Sequence, residues 1–135
     1  MTITGLRVAV ATTDGTAVDE HFGRCKRFDV YQVSADGAEL TETRELGTVL
    51  SHDEGAIESR LAAIKDCAIV HVTSIGSGAA ARVVNAGVMP LKLPAGTPVT
   101  ETVGRLQTVL QGTPPPWMRK LLRQADPAAP RWSPS

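Results

Sequence analysis

A histidine and a cysteine stand four residues apart in the run Val18-Asp19-Glu20-His21-Phe22-Gly23-Arg24-Cys25, and no other pair of side chains in this sequence is better suited to coordination chemistry. Imidazole and thiolate both ligate iron, zinc and copper. A closed zinc site takes four ligands and this pair supplies two, so the spacing points to a borrowed or exchangeable metal and leaves the identity of the metal open. Arg24, Lys26 and Arg27 surround the thiol with positive charge, which predicts a depressed pKa and a Cys25 thiolate or a bound anion. The same two residues admit a redox or hydrolytic enzyme in which Cys25 is the nucleophile and His21 its base. They also admit a regulatory interaction domain in which the loop is structural and takes up no metal. Asp19 and Glu20 are candidate acceptors for orienting His21, a solvated position being the plainer reading of Glu20. Phe22 and Gly23 set the shape of the loop.

The second candidate is Gly76-Ser77-Gly78-Ala79-Ala80-Ala81, where a strand runs through G-x-G-x-x-A into a helix. A dinucleotide fingerprint also needs an acid about 20 residues further on to hold the ribose, and here the next strand ends in Pro90-Leu91-Lys92-Leu93-Pro94. The cofactor reading therefore lacks its support. The amides at residues 77–80, with the helix dipole behind them, suit an anionic cluster or a carboxylate, and close helix–sheet packing explains the small residues equally well. Among the remaining groups, His71 within Ile69-Val70-His71-Val72 reads as a buried, hydrogen-bonded strand residue, His52 as an exposed one and Cys67 as an inert buried filler. A nuclease would need carboxylates such as Asp14 with Glu54 or Glu58, and the strand over 68–73 brings none to complete the set.

The elements that must position these groups follow from periodicity. Residues 6–11 form a compact apolar run ending in Thr12-Thr13-Asp14-Gly15, a buried strand whose end points at the His21 loop. A β-rich run from Phe28 to Val33 and the stretch 39–45 flank Ala35-Asp36-Gly37, whose tolerance of left-handed backbone suits a tight hairpin. The period then changes to that of a helix. Ile57, Leu61 and Ile64 share one face of a helix over 52–65, begun by a Ser51–Glu54 capping box. A strand over 68–73, a helix over 77–86 closed by Gly87, a strand over 89–93 and a helix begun by Thr97-Pro98 and ended by Gly112 complete two βα steps and a final crossover. Trp117 to Gln124 adds a last helix after Pro114-Pro115-Pro116. Three strands followed by alternating helices and strands is the element order of a ribonuclease-H-like, three-layer α/β/α fold with a mixed five-stranded sheet. One domain over 1–124 is expected, with a disordered tail over 125–135.

Composition narrows the partners. The 135 residues are 42% hydrophobic and 21% charged, enough for one core, and 14 cationic side chains balance 14 acidic ones. No basic field draws the chain to nucleic acid or to an anionic membrane, and the start of the sequence has neither the basic region nor the apolar stretch of a signal peptide. A cytoplasmic protein with two free thiols is expected.

Val18-Asp19-Glu20-His21-Phe22-Gly23, then Phe28 and Tyr31, then Ile75-Gly76-Ser77-Gly78-Ala79-Ala80-Ala81-Arg82, then Pro114-Pro115-Pro116-Trp117 together resemble the NifX/NafY family of nitrogenase cofactor-binding proteins, which includes the small domain attached to the assembly enzyme NifB. The resemblance spans about residues 6–122. It implies a non-catalytic carrier that binds an iron–sulfur precursor of the iron–molybdenum cofactor as transient cargo and hands it between cofactor-assembly proteins. It places the ligand histidine at His21, with Cys25 as a second metal ligand. The cargo site then comprises His21, Phe22, Gly23, Arg24 and Cys25 with Gly76, Ser77 and Gly78.

Overall fold

A computed structural model describes residues 5–46 and 54–125. The strands are β1 (Gly5–Ala11), β2 (Ala17–Val18), β3 (Arg27–Ser34), β4 (Gly37–Glu45), β5 (Ile69–Val72), β6 (Met89–Lys92) and β7 (Thr97–Pro98), and the helices α1 (Glu54–Ile64), α2 (Ser77–Asn85), α3 (Val99–Gln111) and α4 (Pro116–Ala125). The main sheet has the order β4-β3-β1-β5-β6. Its first three strands are an antiparallel meander, and β5 and β6 add in parallel on the other side of β1. This is the expected mixed sheet in three layers.

Alternation along the strands divides the core. Ala9, Ala11, Phe28, Val30, Val70 and Val72 face α1 and α2, while Leu6, Val8, Val10, Val33 and Ile69 face α3 and α4. β1 is buried on both faces, with only Arg7 exposed, and there its backbone partners are β3 and β5. Helix α2 ends as its glycine predicts: Gly87 takes φ +90°, its N–H bonds Val84 O at 2.9 Å, and the Val88 N–H reaches Val83 O.

Three local expectations change. The β3–β4 hairpin contains no left-handed residue, because the Ser34 hydroxyl accepts from the Asp36 N–H at 3.2 Å and donates to Gly37 O at 3.3 Å, closing the turn without one. Thr97 and Pro98 do not open α3. They form β7, which pairs with β2 as a separate two-stranded sheet, and Pro98 is the N-cap of a helix beginning at Val99. His71 is buried but not hydrogen-bonded, since neither ring nitrogen has a partner. The capping box and His52 lie outside the described residues, as does the expected tail beyond Ala125.

Candidate functional site

The His21 segment is held by the end of β5. His21 forms an isolated parallel bridge with Ser74, the Phe22 N–H donates to Ser74 O at 3.0 Å, and the Thr73 N–H donates to Glu20 O at 3.0 Å. The chain then folds back, with the N–H groups of Arg24 and Cys25 both reaching His21 O at 3.1 and 2.9 Å. Phe22 anchors this turn. Its ring is fully buried 6.1 Å from that of Phe28, a burial that stabilises by roughly 2–3 kcal/mol. The backbone is thus fixed while the His21 side chain stays exposed at the surface.

Beyond Ser74 the chain enters α2 through Gly76, an extended N-cap that makes no side-chain capping bond. The bridge therefore sets the first turn of α2, with its unsatisfied N–H groups and positive dipole end, beside the imidazole. A cleft of about 530 Å³ opens between them, lined by His21, Gly23, Arg24, Ile57, Ser74, Ile75, Gly76 and Ala79. Helix α1 forms the facing wall, and Gly23 lies against it: a Cβ there would come into contact with Ile57 Cδ1 at 3.4 Å. An ion pair between Glu58 of α1 and Arg82 of α2 joins the two helices.

The side chains suspected from sequence separate here. His21, Gly23, Arg24 and Gly76 share the cleft, and Ser77 and Gly78 are exposed at the start of α2 without lining it. Phe22 and Cys25 turn into the core instead. Cys25 Sγ donates to Phe22 O at 3.3 Å, and burial pushes its pKa up to about 12, outweighing the opposing pull of buried Arg60. The expected thiolate is overturned, and no His21–Cys25 base–nucleophile contact forms. Of the flanking cations, Arg27 is committed to Asp29 through two bonds of 2.7 and 3.0 Å, and a cation that does act on the sulfur, Arg60, comes from α1. Cys67 is likewise buried with its pKa raised to about 12.

The carboxylates expected near His21 are engaged elsewhere. Asp19 accepts from the Thr13 N–H at 2.9 Å, and Glu20 accepts from the Thr13 hydroxyl at 2.7 Å. The residue bonded to His21 Nδ1 is Ser74, through its hydroxyl. Sequence reading missed it; the available signal was a hydroxyl residue two positions after a parallel strand adjoining the one that leads to the loop. Asp14 accepts from Thr16 in its own turn, so the nuclease constellation is not assembled among the described residues. No described helix is long and apolar enough to cross a membrane.

Residues 5–109, which include the sheet and both walls of this cleft, match the family model described as dinitrogenase iron-molybdenum cofactor. The chain belongs to this family. It is 36% identical over 123 residues to protein NifX of Herbaspirillum seropedicae, covering 90% of this chain and 84% of that one. It is 39% identical over 117 residues to protein NifY of Azotobacter vinelandii, covering 87% of this chain but only 48% of that longer one. The crystal structure of a Methanocaldococcus jannaschii protein shares the fold, with a TM-score of 0.53 at 13% identity over 85% of this chain and all of that one. Membership of this NifX/NafY family gives the chain a role in nitrogenase cofactor biosynthesis.

Proposed function

We propose that this chain is a cytoplasmic, non-catalytic carrier that holds an iron–sulfur precursor of the iron–molybdenum cofactor in the His21 cleft and passes it between cofactor-assembly proteins. The observation that carries this reading is the His21–Ser74 bridge, which puts one imidazole, the Arg24 side chain and the uncapped start of α2 on a single cleft. Cationic side chains and helix-end amides suit an anionic cluster, and His21 offers iron or molybdenum one protein ligand. A structural iron–sulfur site uses four thiolates. One imidazole with electrostatic support holds a cluster yet gives it up to a partner with a fuller ligand set. Burial of Cys25 leaves His21 as the metal-ligating side chain of the cleft.

The test is an anaerobic titration of the chain with a nitrogenase cofactor precursor, read as iron content and visible absorption after gel filtration. The wild type retains cluster, and His21→Ala binds it roughly 10- to 100-fold more weakly while remaining folded, the range found when a metal's ligand shell is damaged. A wild type that emerges without iron would overturn the carrier reading, and equal binding by the variant would remove His21 from it.

A further inference from the structure

We propose that Ser74 is the positioning residue of the cleft: it accepts a hydrogen bond from the Nδ1–H of His21, fixing the tautomer whose Nε2 lone pair is left for a metal. This rests on the reading of His21 as a ligand and goes beyond it by naming the coordinating nitrogen and the group that selects it.

A neutral imidazole carries one N–H and one lone pair, and its partner decides which nitrogen holds the proton. Here the partner of Nδ1 is the Ser74 hydroxyl, which is able to donate or accept. Asp19 and Glu20, the neighbouring carboxylates, are bonded to Thr13. The direction of the bond follows from which nitrogen is left over. Ser74 occupies Nδ1, so a metal is left with Nε2 and needs a lone pair there; the proton of the neutral ring then sits on Nδ1 and the hydroxyl accepts it. With the proton on Nδ1, coordination through Nε2 requires no proton to leave that nitrogen. The backbone supports the geometry: Ser74 O accepts from the Phe22 N–H, so hydroxyl and imidazole are set by the same bridge.

The first measurement is made on the metal-free full chain at alkaline pH, where imidazoles are neutral, by long-range 1H–15N correlation, with His21→Gln identifying the His21 signals. The expected result is a protonated Nδ1 and an unprotonated Nε2 in the wild type, loss of that preference in Ser74→Ala and its return in Ser74→Thr. A wild type protonated on Nε2, or an unchanged tautomer in Ser74→Ala, would overturn the proposal, whether or not the chain carries cargo. The second measurement uses isolated iron–molybdenum cofactor as the probe. Ser74→Ala should bind it roughly 10-fold more weakly, with Ser74→Thr close to wild type, the loss expected when a ligand's orienting partner is removed. Equal binding by Ser74→Ala would deny the positioning role. Failure of the wild type itself to bind would count against the carrier reading, while the tautomer decides this one.

Discussion

The guanidinium of Arg60, buried on α1, donates a 2.7 Å hydrogen bond from Nη2 to the carbonyl oxygen of Cys25, at the far end of the His21 turn. One helix residue thereby holds the loop that the cleft depends on. Arg60→Met keeps much of the volume but leaves the carbonyl without this donor, and should cost about 1–3 kcal/mol in chemical denaturation. Amide hydrogen exchange at Arg24 and Cys25 should quicken first. Unchanged stability together with unchanged exchange would show that the clamp contributes nothing net.

Both thiols should resist attack in the folded chain. Cys25 and Cys67 are buried and their pKa values are pushed up to about 12, so neither supplies thiolate near neutral pH. A thiol reagent should find neither in buffer and two per chain in denaturant. Rapid labelling of native Cys25, slowed by His21→Ala, would restore the nucleophile–base enzyme.

His71 predicts acid sensitivity. By the alternation of β5 it shares the face of Ile69, toward α3 and α4, and burial lowers its pKa from 6.5 to about 4. The folded chain therefore takes up this proton less readily than the unfolded chain. Stability is full above pH 6.5 and falls as the pH drops from 6.5 to about 4, by roughly 3 kcal/mol in all. His71→Leu should flatten the stability profile over that interval. A variant with the same slope as wild type would assign the acid loss to other groups.

Gly15 should not tolerate alanine. Its φ is +89°, and a Cβ there would lie 3.0 Å from both Arg27 Nη2 and Asp29 Oδ2. Left-handed backbone alone costs a residue with a Cβ about 1–2 kcal/mol, and displacement of the Arg27–Asp29 pair adds to it. Gly15→Ala should lower the thermal midpoint by several degrees, as such a loss does in a domain of this size. An unchanged midpoint would mean that the turn has another conformation open to it.

The layers of the fold were legible because they rest on repeating signals. The apolar run of β1, the meander and the 3.6-residue spacing of Ile57, Leu61 and Ile64 each state which face is buried. What was not legible lacks a period. β2 and β7 are two residues long, too short to alternate, and they pair across most of the chain. Cys25 misled because its neighbours in sequence are cations, whereas its neighbours in space include Phe22 and Phe28, and the field at a buried sulfur is set by space. Arg60 gave no sign of its burial, since a charged helix residue goes inside only when a particular acceptor awaits it, here the carbonyl of Cys25. The histidine and the start of α2 were both recognisable, but their meeting depends on one bridge that no spacing encodes.

The small β2–β7 sheet has a consequence for the order of events at the ribosome. Thr16 O accepts from the Val99 N–H and Val18 O from the Gly96 N–H, so the strand leading into the histidine segment is anchored by chain made long after it. His21 emerges early and waits for Ser74, then for β7 and the first turn of α3, before its surroundings are complete. A nascent chain displays the imidazole without the cleft. The lining of the cleft is complete in sequence by Ala79, whereas the anchor of β2 is made only with β7 and the first turn of α3.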